Sequence, residues 1–244
     1  KNFSWFSDFS LSHNREKIKE LASGQLKDEA NAWFVGEPFK VFYDYKKEGI
    51  WQLGEEAAAA ANGQEPGDIK VQDVDGNGVI TTDDRIIYSQ RPDVTFGFNN
   101  TFNYKGFDLS VFLYARLGQW IAYDYNTTYR INALENGGNV DYWTPENPTN
   151  AFPRPNKSKS YTQVTYYSTL KYEDGSFFKI RDITLGYTFK PELLKHLNLS
   201  KLRVYATAKN FFTFSKIDNY DPEQGGSISF PMTKQLVFGL NVEF

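Results

Sequence analysis

Cysteine is absent from this chain of 244 residues, and methionine occurs once. The absence of cysteine excludes a disulfide scaffold, thiol catalysis and cysteine-bound metal, and it fits a cell-envelope protein that passes through an oxidising periplasm. No run of 18 apolar residues occurs, which excludes a transmembrane helix but not a transmembrane β-barrel, whose strands alternate apolar and polar residues. A net charge of −3 argues against nucleic acid as a partner.

Motifs for enzymatic chemistry are missing as well. The two histidines, His13 and His196, are far apart and have no metal-ligand spacing. The sequence contains no Gly-rich phosphate loop, no nucleophile elbow and no zinc-binding helix. Glu146 and Asp174 would form an acid–base couple only if the fold brought them together, and nothing in the sequence indicates that it does. We therefore expect no catalytic residues, no organic cofactor and no enzyme.

Aromatic residues are abundant, at 17% of the chain, and many of them alternate with polar residues. An alternation with a period of two residues predicts β-strands. In the clearest example, Leu109 and Val111 share one face while Asp108 and Ser110 share the other. The seven segments with this pattern are residues 2–13, 39–45, 94–104, 107–117, 177–189, 202–213 and 233–244.

The length of these strands favours a transmembrane antiparallel β-barrel over a soluble β-sandwich. Strands of globular proteins usually have about 5–6 residues, whereas several segments here alternate for 11 or 12. Twelve residues at ~3.3 Å each, tilted by about 45°, rise roughly 28 Å, which matches an apolar band of roughly 25 Å. Charged residues on the polar faces, such as Arg203 and Glu243, suit a water-filled lumen better than a dry interior.

Seven strands cannot close a barrel around a channel, and a strand edge exposed to lipid is prohibitively costly. The chain begins at Lys1 inside a periodic segment, without an initiator Met or a signal peptide. We therefore expect the remaining strands to come from the rest of a longer chain.

The connections between the predicted strands alternate in length. Outer-membrane barrels have short periplasmic turns and long extracellular loops. The two-residue turn at 105–106 would be periplasmic, as would the C-terminus, while residues 46–92 and 118–176 would be long extracellular loops. On this tracing, residues 14–38 form an unusually long periplasmic connection.

An Asp-rich segment in the first long loop, residues 73–84, fits the pattern of a calcium-binding loop at positions 1, 3, 5 and 6, with Asp in place of the usual Glu at position 12. Such residues are also common in ordinary turns. Five matches in register nevertheless favour a binding site for Ca²⁺ or Mg²⁺, and we expect the bound cation to stabilise the loop. The predicted ligands are the side chains of Asp73, Asp75, Asn77 and Asp84 and the carbonyl group of Val79.

Two further sets of residues are candidates for function. Tyr125, Tyr129 and Trp143 lie in an aromatic part of the loop 118–176. Their rings could stack on sugars or contact a protein partner, or they could pack against one another. At the C-terminus, Phe244 ends an alternating strand, as the aromatic assembly signal of outer-membrane barrels does, and it could also belong to the girdle of aromatic residues at the membrane interface.

The motifs of this chain, taken in order, resemble those of the C-terminal portion of a SusC/RagA-type TonB-linked outer-membrane transporter. The matching stretches in the first half are Val35-Gly36-Glu37-Pro38, Tyr43-Asp44-Tyr45, Gly49-Ile50-Trp51, Gly67-Asp68-Ile69-Lys70, Asp83-Asp84-Arg85, Arg91-Pro92 and the hairpin 96–117. Those in the second half are Tyr142-Trp143-Thr144-Pro145-Glu146-Asn147-Pro148, Ser176-Phe177-Phe178-Lys179-Ile180-Arg181, Ala208-Lys209-Asn210-Phe211-Phe212-Thr213 and the terminal Phe244.

The resemblance implies that residues 1–244 are the C-terminal part of a 22-stranded barrel whose plug domain and TonB box lie elsewhere in the protein. It also implies a SusD-like surface lipoprotein as a lid, the TonB complex as a further partner, and import of oligosaccharides or peptides across the outer membrane. Two alternatives stay open. One is an extracellular carbohydrate-binding or glycoside-degrading β-sandwich with a calcium loop, and the other is a structural barrel without transport.

Overall fold

A computed structural model describes residues 3–244, so Asn2 of the first predicted strand lies outside the described residues. The strands are β1 (Phe3–Ser12), β2 (Lys27–Asp28), β3 (Trp33–Phe34), β4 (Val41–Tyr45), β5 (Lys47–Ile50), β6 (Ile69–Val71), β7 (Arg85–Ser89), β8 (Val94–Tyr104), β9 (Phe107–Leu117), β10 (Trp120–Ala122), β11 (Tyr172–Asp174), β12 (Phe177–Thr188), β13 (Lys201–Ser215) and β14 (Gln235–Glu243).

Helices are few and short in the described part of the chain. The α-helices are α1 (Glu56–Ala61) and α2 (Pro191–Leu194), and the 3₁₀ helices span Ala22–Gly24, Thr82–Asp84, Asp124–Thr128, Tyr161–Gln163, Tyr167–Lys171, Lys195–Leu197 and Pro222–Gln224. Within residues 3–244, no helix combines the length and the apolar character needed to cross a membrane.

Six long strands form one antiparallel sheet in the order β1-β8-β9-β12-β13-β14. The alternation of apolar and polar residues predicted all six, and for β8 and β9 it predicted both ends correctly. The strands have 9 to 15 residues, longer than most strands of soluble proteins. The all-β, antiparallel architecture is therefore confirmed.

The second predicted strand, 39–45, does form a strand, but it is not a member of this sheet, which has six strands within the described residues. Its counterpart β4 pairs only with β7, in a separate two-stranded sheet. Five residues reach about 17 Å, too little to cross the long sheet beside strands of 9 to 15 residues. Alternation showed that the segment is a strand but did not show its partner.

The long connections all leave the sheet at the same end. Because β1 pairs directly with β8, the chain leaves at Ser12 and returns at Val94 on that end, where β9 also passes into β12 and β13 into β14. The opposite end carries the two-residue turn between β8 and β9 and the connection through α2. The prediction of a long connection at 14–38 on the short-turn end was therefore wrong, because it assumed that β4 crosses the sheet.

The register of the sheet separates an apolar face from a polar face. One row across all six strands contains only apolar side chains, namely Trp5, Phe102, Leu109, Leu185, Ala206 and Phe238. On the other face, Asp108 forms an ion pair with Arg203, whose Nε donates to Asp108 Oδ1 at 2.9 Å. This pair spans β12 at Gly186, where an added Cβ would lie 2.6 Å from the Asp108 carboxylate. Glycine at this position therefore makes room for the ion pair.

The first two long connections pack together at one end of the sheet. Their shared core contains Ile50, Ile69, Val71, Trp143 and Leu170, all buried. Polar contacts reinforce it, because the Ile50 amide and the Gln52 side chain both donate to Asn150 Oδ1. The connections are thus one folded layer rather than independent loops.

Candidate functional site

The Asp-rich segment 73–84 forms a compact turn between β6 and β7, within the layer of connections. One carboxylate oxygen each from Asp73, Asp75 and Asp84 lies within 4.8 Å of the other two. Three carboxylates at this separation repel one another, and carboxylate oxygens are the ligands that Ca²⁺ prefers. The fold thus brings together three of the five ligands predicted from the sequence.

Backbone amides hold the carboxylates of this cluster in place. Asp73 accepts from the amides of Gly76 and Gly78 at 2.8 and 2.7 Å. Asp84 is fully buried and accepts from the amides of Val74 and Thr81, both at 2.7 Å. The hydrogen bond from Thr81 in particular lowers the pKa of Asp84, so this side chain stays anionic at neutral pH.

The Asn77 side chain, another predicted ligand, is hydrogen-bonded to local partners in this structure. The Asn77 side-chain oxygen accepts from the Val79 amide at 2.8 Å, and its Nδ2 donates to Asp75 at 2.8 Å. Ile80 packs against the shared core, as the apolar residue of such a loop should. Ligation by Asn77 and by the Val79 carbonyl stays a prediction, as does the identity of the cation.

We expect the double substitution Asp73→Ala, Asp75→Ala to abolish cation binding and to loosen residues 67–85, while the six-stranded sheet stays intact. Extracellular calcium modules bind with dissociation constants of about 10⁻⁴–10⁻³ M. Calorimetric titration of calcium into the full-length protein, together with limited proteolysis, measures both effects. Asp83→Ala is the matched control, because Asp83 is exposed and lies outside the cluster. Absence of a bound cation in wild-type protein purified with calcium would contradict the site.

The aromatic candidates have different environments. Trp143 and Tyr129 are 4% and 5% exposed. Trp143 Nε1 donates to Gln52 Oε1 at 2.8 Å, and the Tyr129 hydroxyl donates to the Pro153 carbonyl at 2.9 Å. Both rings therefore pack in the core, which is one of the alternatives that the sequence left open. Tyr125 is partly exposed and packs against Tyr220 and the buried Tyr123.

A buried lysine was missed by the sequence analysis. Lys179 on β12 is fully buried, and its Nζ lies 2.6 Å from Asp221 and 2.9 Å from Glu223. Glu223 also pairs with Arg181 at 3.1 Å. These contacts fasten the connection between β13 and β14 to the polar face of the sheet. The acidic residues lie some forty positions after Lys179, so no local pattern predicts the cluster.

Phe244 follows the last residue of β14 and is 94% exposed. Its carbonyl accepts from the Ser200 hydroxyl at 3.3 Å, which ties the chain end to the start of β13. The apolar residues of β14, such as Phe238 and Leu240, are exposed as well. Its role as an assembly signal stays a prediction.

Comparison with curated proteins finds TonB-dependent receptors along the whole chain. The chain is 30% identical to TonB-dependent receptor P3 of Formosa agariphila and covers 27% of it. It is 28% identical to TonB-dependent receptor SusC of Bacteroides thetaiotaomicron and covers 25% of that protein. Both alignments include 100% of this chain, which thus spans about a quarter of the length of these relatives. A scan of protein-family models gives no match.

Solved structures agree with the fold. The chain superposes on part of the RagAB peptide transporter with a TM-score of 0.76 at 23% identity, covering 28% of that chain. A structure of the RagAB peptide importer in the open-open state gives a TM-score of 0.71 at 25% identity, with 27% of that chain covered. Both superpositions include 100% of this chain.

These relatives are named as receptors and transporters rather than as enzymes. TonB-dependent receptors and SusC/RagA homologues are outer-membrane β-barrels of Gram-negative bacteria. The resemblance found in the sequence is confirmed as a likeness: over its full length, this chain is similar to part of several TonB-dependent receptors, SusC among them.

Proposed function

We propose that the six-stranded sheet is part of the wall of an outer-membrane barrel that imports nutrients with energy delivered through TonB. The apolar face of the sheet carries the proposal. Trp5 at one edge and Phe238 at the other are 61% and 77% exposed, and the row between them is apolar throughout. A water-exposed surface of this size would be unstable, whereas lipid is its natural solvent.

The polar face fits the lumen of such a barrel. It carries the Asp108–Arg203 pair and the Lys179 cluster, and the connection between β13 and β14 folds against it. The edge strands β1 and β14 each leave one side unpaired in this sheet. Inside a bilayer both edges must pair, so further strands of the same protein, in a barrel of 22 strands, would complete the wall around a plug domain.

Loop length sets the proposed orientation. Long connections face outward and short turns face the periplasm in outer-membrane barrels. The folded layer that contains 46–92 and 118–176 would then lie outside the cell, and Phe244 would lie at the periplasmic side. On that outer surface, a SusD-like lipoprotein would close over the barrel, as the likeness to SusC and to RagAB suggests. The cargo would be an oligosaccharide or a peptide.

Deletion of the complete gene is expected to abolish uptake of one class of oligomer. The deletion strain, a strain without TonB and the deletion strain carrying the restored gene would be grown on separate pools of oligosaccharides and peptides as sole nutrients. We expect the first two strains to fail on the same pool and the third to recover. Normal growth of both mutants on every pool that supports the wild type would refute transport.

A further inference from the structure

A cavity of about 580 Å³ lies in the connection 118–176, within the usual size range of small-ligand sites. Neither the Asp-rich segment 73–84 nor the proposed lumen contributes residues to it. Its walls come from three 3₁₀ helices and the turns beside them. The lining residues are Thr127, Arg130, Tyr161, Thr162, Val164, Tyr166, Tyr167, Ser168 and Lys171.

The lining of this cavity combines hydroxyl groups, aromatic rings and positive charge. Six of the nine side chains carry a hydroxyl, two carry a positive charge, and none of the nine is acidic. The rings of Tyr161 and Tyr167 lie 5.8 Å apart between centroids, at an angle of 42°. Such faces can contact the C–H face of a sugar ring, while neighbouring hydroxyls bind its polar edge.

Both cations retain capacity for a ligand. Arg130 pairs with the exposed Glu135 through Nε at 3.3 Å, which leaves its two terminal nitrogens as donors. The Lys171 ammonium lies 4.9 Å from the centroid of the Tyr172 ring, and within residues 3–244 it forms no ion pair. An anionic group entering the cavity would therefore form charge-assisted hydrogen bonds.

The walls are preformed. The Tyr167 hydroxyl donates to the Tyr129 carbonyl at 2.6 Å, and the Tyr166 ring packs on Tyr45 with centroids 4.8 Å apart. Tyr166 has a positive φ of 62°, which is uncommon for a bulky residue and is held here by its surroundings. Burial raises the pKa of the Tyr166 and Tyr167 phenols, so both stay neutral. The single proton of the Tyr167 hydroxyl is already donated to the Tyr129 carbonyl, so this side chain offers a ligand its ring and an acceptor oxygen.

The backbone around the cavity argues against an extended peptide bound by strand addition. That mode needs an exposed sheet edge, whose main-chain hydrogen bonds give the affinity. The lining residues belong to 3₁₀ helices and turns, so the cavity offers no strand edge. Recognition must therefore come from side chains, which here are hydroxyls, rings and cations.

We propose that this cavity binds an anionic oligosaccharide, with Arg130 and Lys171 holding its carboxylate or sulfate groups and the tyrosines contacting its rings. This inference rests on the proposed function, since it names the substrate class of the importer. Located in the layer of connections, the cavity would capture the ligand before it enters the barrel.

Titration calorimetry on the detergent-purified full-length protein tests the proposal. The probes are a hexamer of galacturonic acid, a sulfated hexasaccharide, neutral cellohexaose and a hexapeptide of aspartate and glutamate. We expect at least one of the two anionic sugars to bind at least tenfold more tightly than cellohexaose and the peptide. Binding of the galacturonate alone identifies carboxylate as the recognised group, and binding of the sulfated sugar alone identifies sulfate.

The variant Arg130→Gln, Lys171→Gln should lose at least tenfold in affinity for that sugar. The matched control Lys157→Gln, an exposed lysine in the same connection, should bind like the wild type. Tyr161→Ala, which removes an exposed ring, provides a second test should the double variant give too little folded barrel. Wild-type affinity in both test variants, equal binding of cellohexaose, tighter binding of the peptide, or no binding of either anionic sugar would overturn the proposal.

Binding in this assay needs neither TonB nor an energised membrane. A protein that binds the anionic sugar without importing anything would refute the proposed function and leave the cavity assignment standing. Import that is unaffected in the double variant, by contrast, would refute the cavity assignment alone.

Discussion

Replacement of Lys179 by alanine is expected to release the connection between β13 and β14 from the sheet. Lys179 is fully buried and lies within 2.9 Å of both Asp221 and Glu223, whose side chains are 11% exposed. Without the ammonium group, Asp221 loses its cation and Glu223 keeps only its pair with Arg181, and little water surrounds either carboxylate. Removing one partner of a buried ion pair costs about 3–5 kcal/mol, because the remaining charge is left uncompensated.

Hydrogen exchange of residues 216–234 in the full-length protein measures this release. We expect their amides to exchange at least a hundredfold faster in Lys179→Ala. Lys209→Ala is the matched control: Lys209 lies on the neighbouring strand, is 46% exposed and contacts Asp182 at 3.5 Å. Such exposed pairs contribute only about 0–1 kcal/mol, so its loss should leave exchange nearly unchanged. Equal protection in Lys179→Ala and in the wild type would show that the cluster does not hold the connection.

Adding Asp221→Asn and Glu223→Gln to a Lys179→Met background should restore much of the protection. Neutral groups of similar shape avoid the penalty of buried, unpaired charge, and such replacements are often neutral or even stabilising. If the amides of the triple variant exchange as fast as those of Lys179→Ala, the salt bridges themselves hold the connection. In that case, removing the unpaired charges is not enough to restore it.

Removal of Phe244 is expected to reduce sharply the amount of the full-length protein in the outer membrane. The ring is 94% exposed, and its carbonyl makes one hydrogen bond to Ser200. As a girdle residue it would contribute at most about 3 kcal/mol of burial, which a large barrel tolerates. As a signal read by the insertion machinery, its loss would leave the chain in the periplasm for proteolysis, whatever the stability of the finished barrel.

Quantitative blotting of outer-membrane fractions distinguishes these two roles. Phe244→Tyr and Phe244→Trp keep an aromatic ring and should largely preserve abundance, while the deletion should not. Leu240→Ala is a matched control, because it removes an exposed apolar side chain from the same face of β14 without touching the terminus. Normal abundance after deletion of Phe244 would leave only the girdle role.

Periodicity was sufficient to locate the long strands because alternation with a period of two is a local property of the chain. In β9 the apolar positions Leu109, Val111 and Leu113 specify one face whichever strands lie beside it. Turn chemistry also acts locally, so the two-residue turn after β8 set the first hairpin. The Asp-rich segment 73–84 was predictable for the same reason. Three of its predicted ligands lie within twelve residues of sequence, and their carboxylate oxygens lie within 4.8 Å of one another.

Local pattern could not reveal the partner of β4. The same alternation of aromatic residues occurs in a strand that crosses a membrane and in a strand that packs beneath a loop. Only the pairing of β4 with β7 shows that β4 is of the second kind. Trp143 and Tyr129 illustrate the same limit. An aromatic residue in a long loop can face a ligand or fill a core, and contacts with residues far along the chain, such as Gln52 and Pro153, place these two in the core.

By itself, the sequence determined the strand class, the six long strands, the likeness to SusC/RagA-type receptors and the carboxylates that cluster in segment 73–84. Tertiary structure alone decided that residues 14–38 leave the sheet at the same end as the other long connections, and that the first two of these connections fold into a single layer. It also decided that Lys179 is buried beside Asp221 and that Arg130 and Lys171 line one cavity. The reason is sequence distance: periodicity and loop motifs act over a few residues, whereas ion pairs and cavities join residues dozens of positions apart.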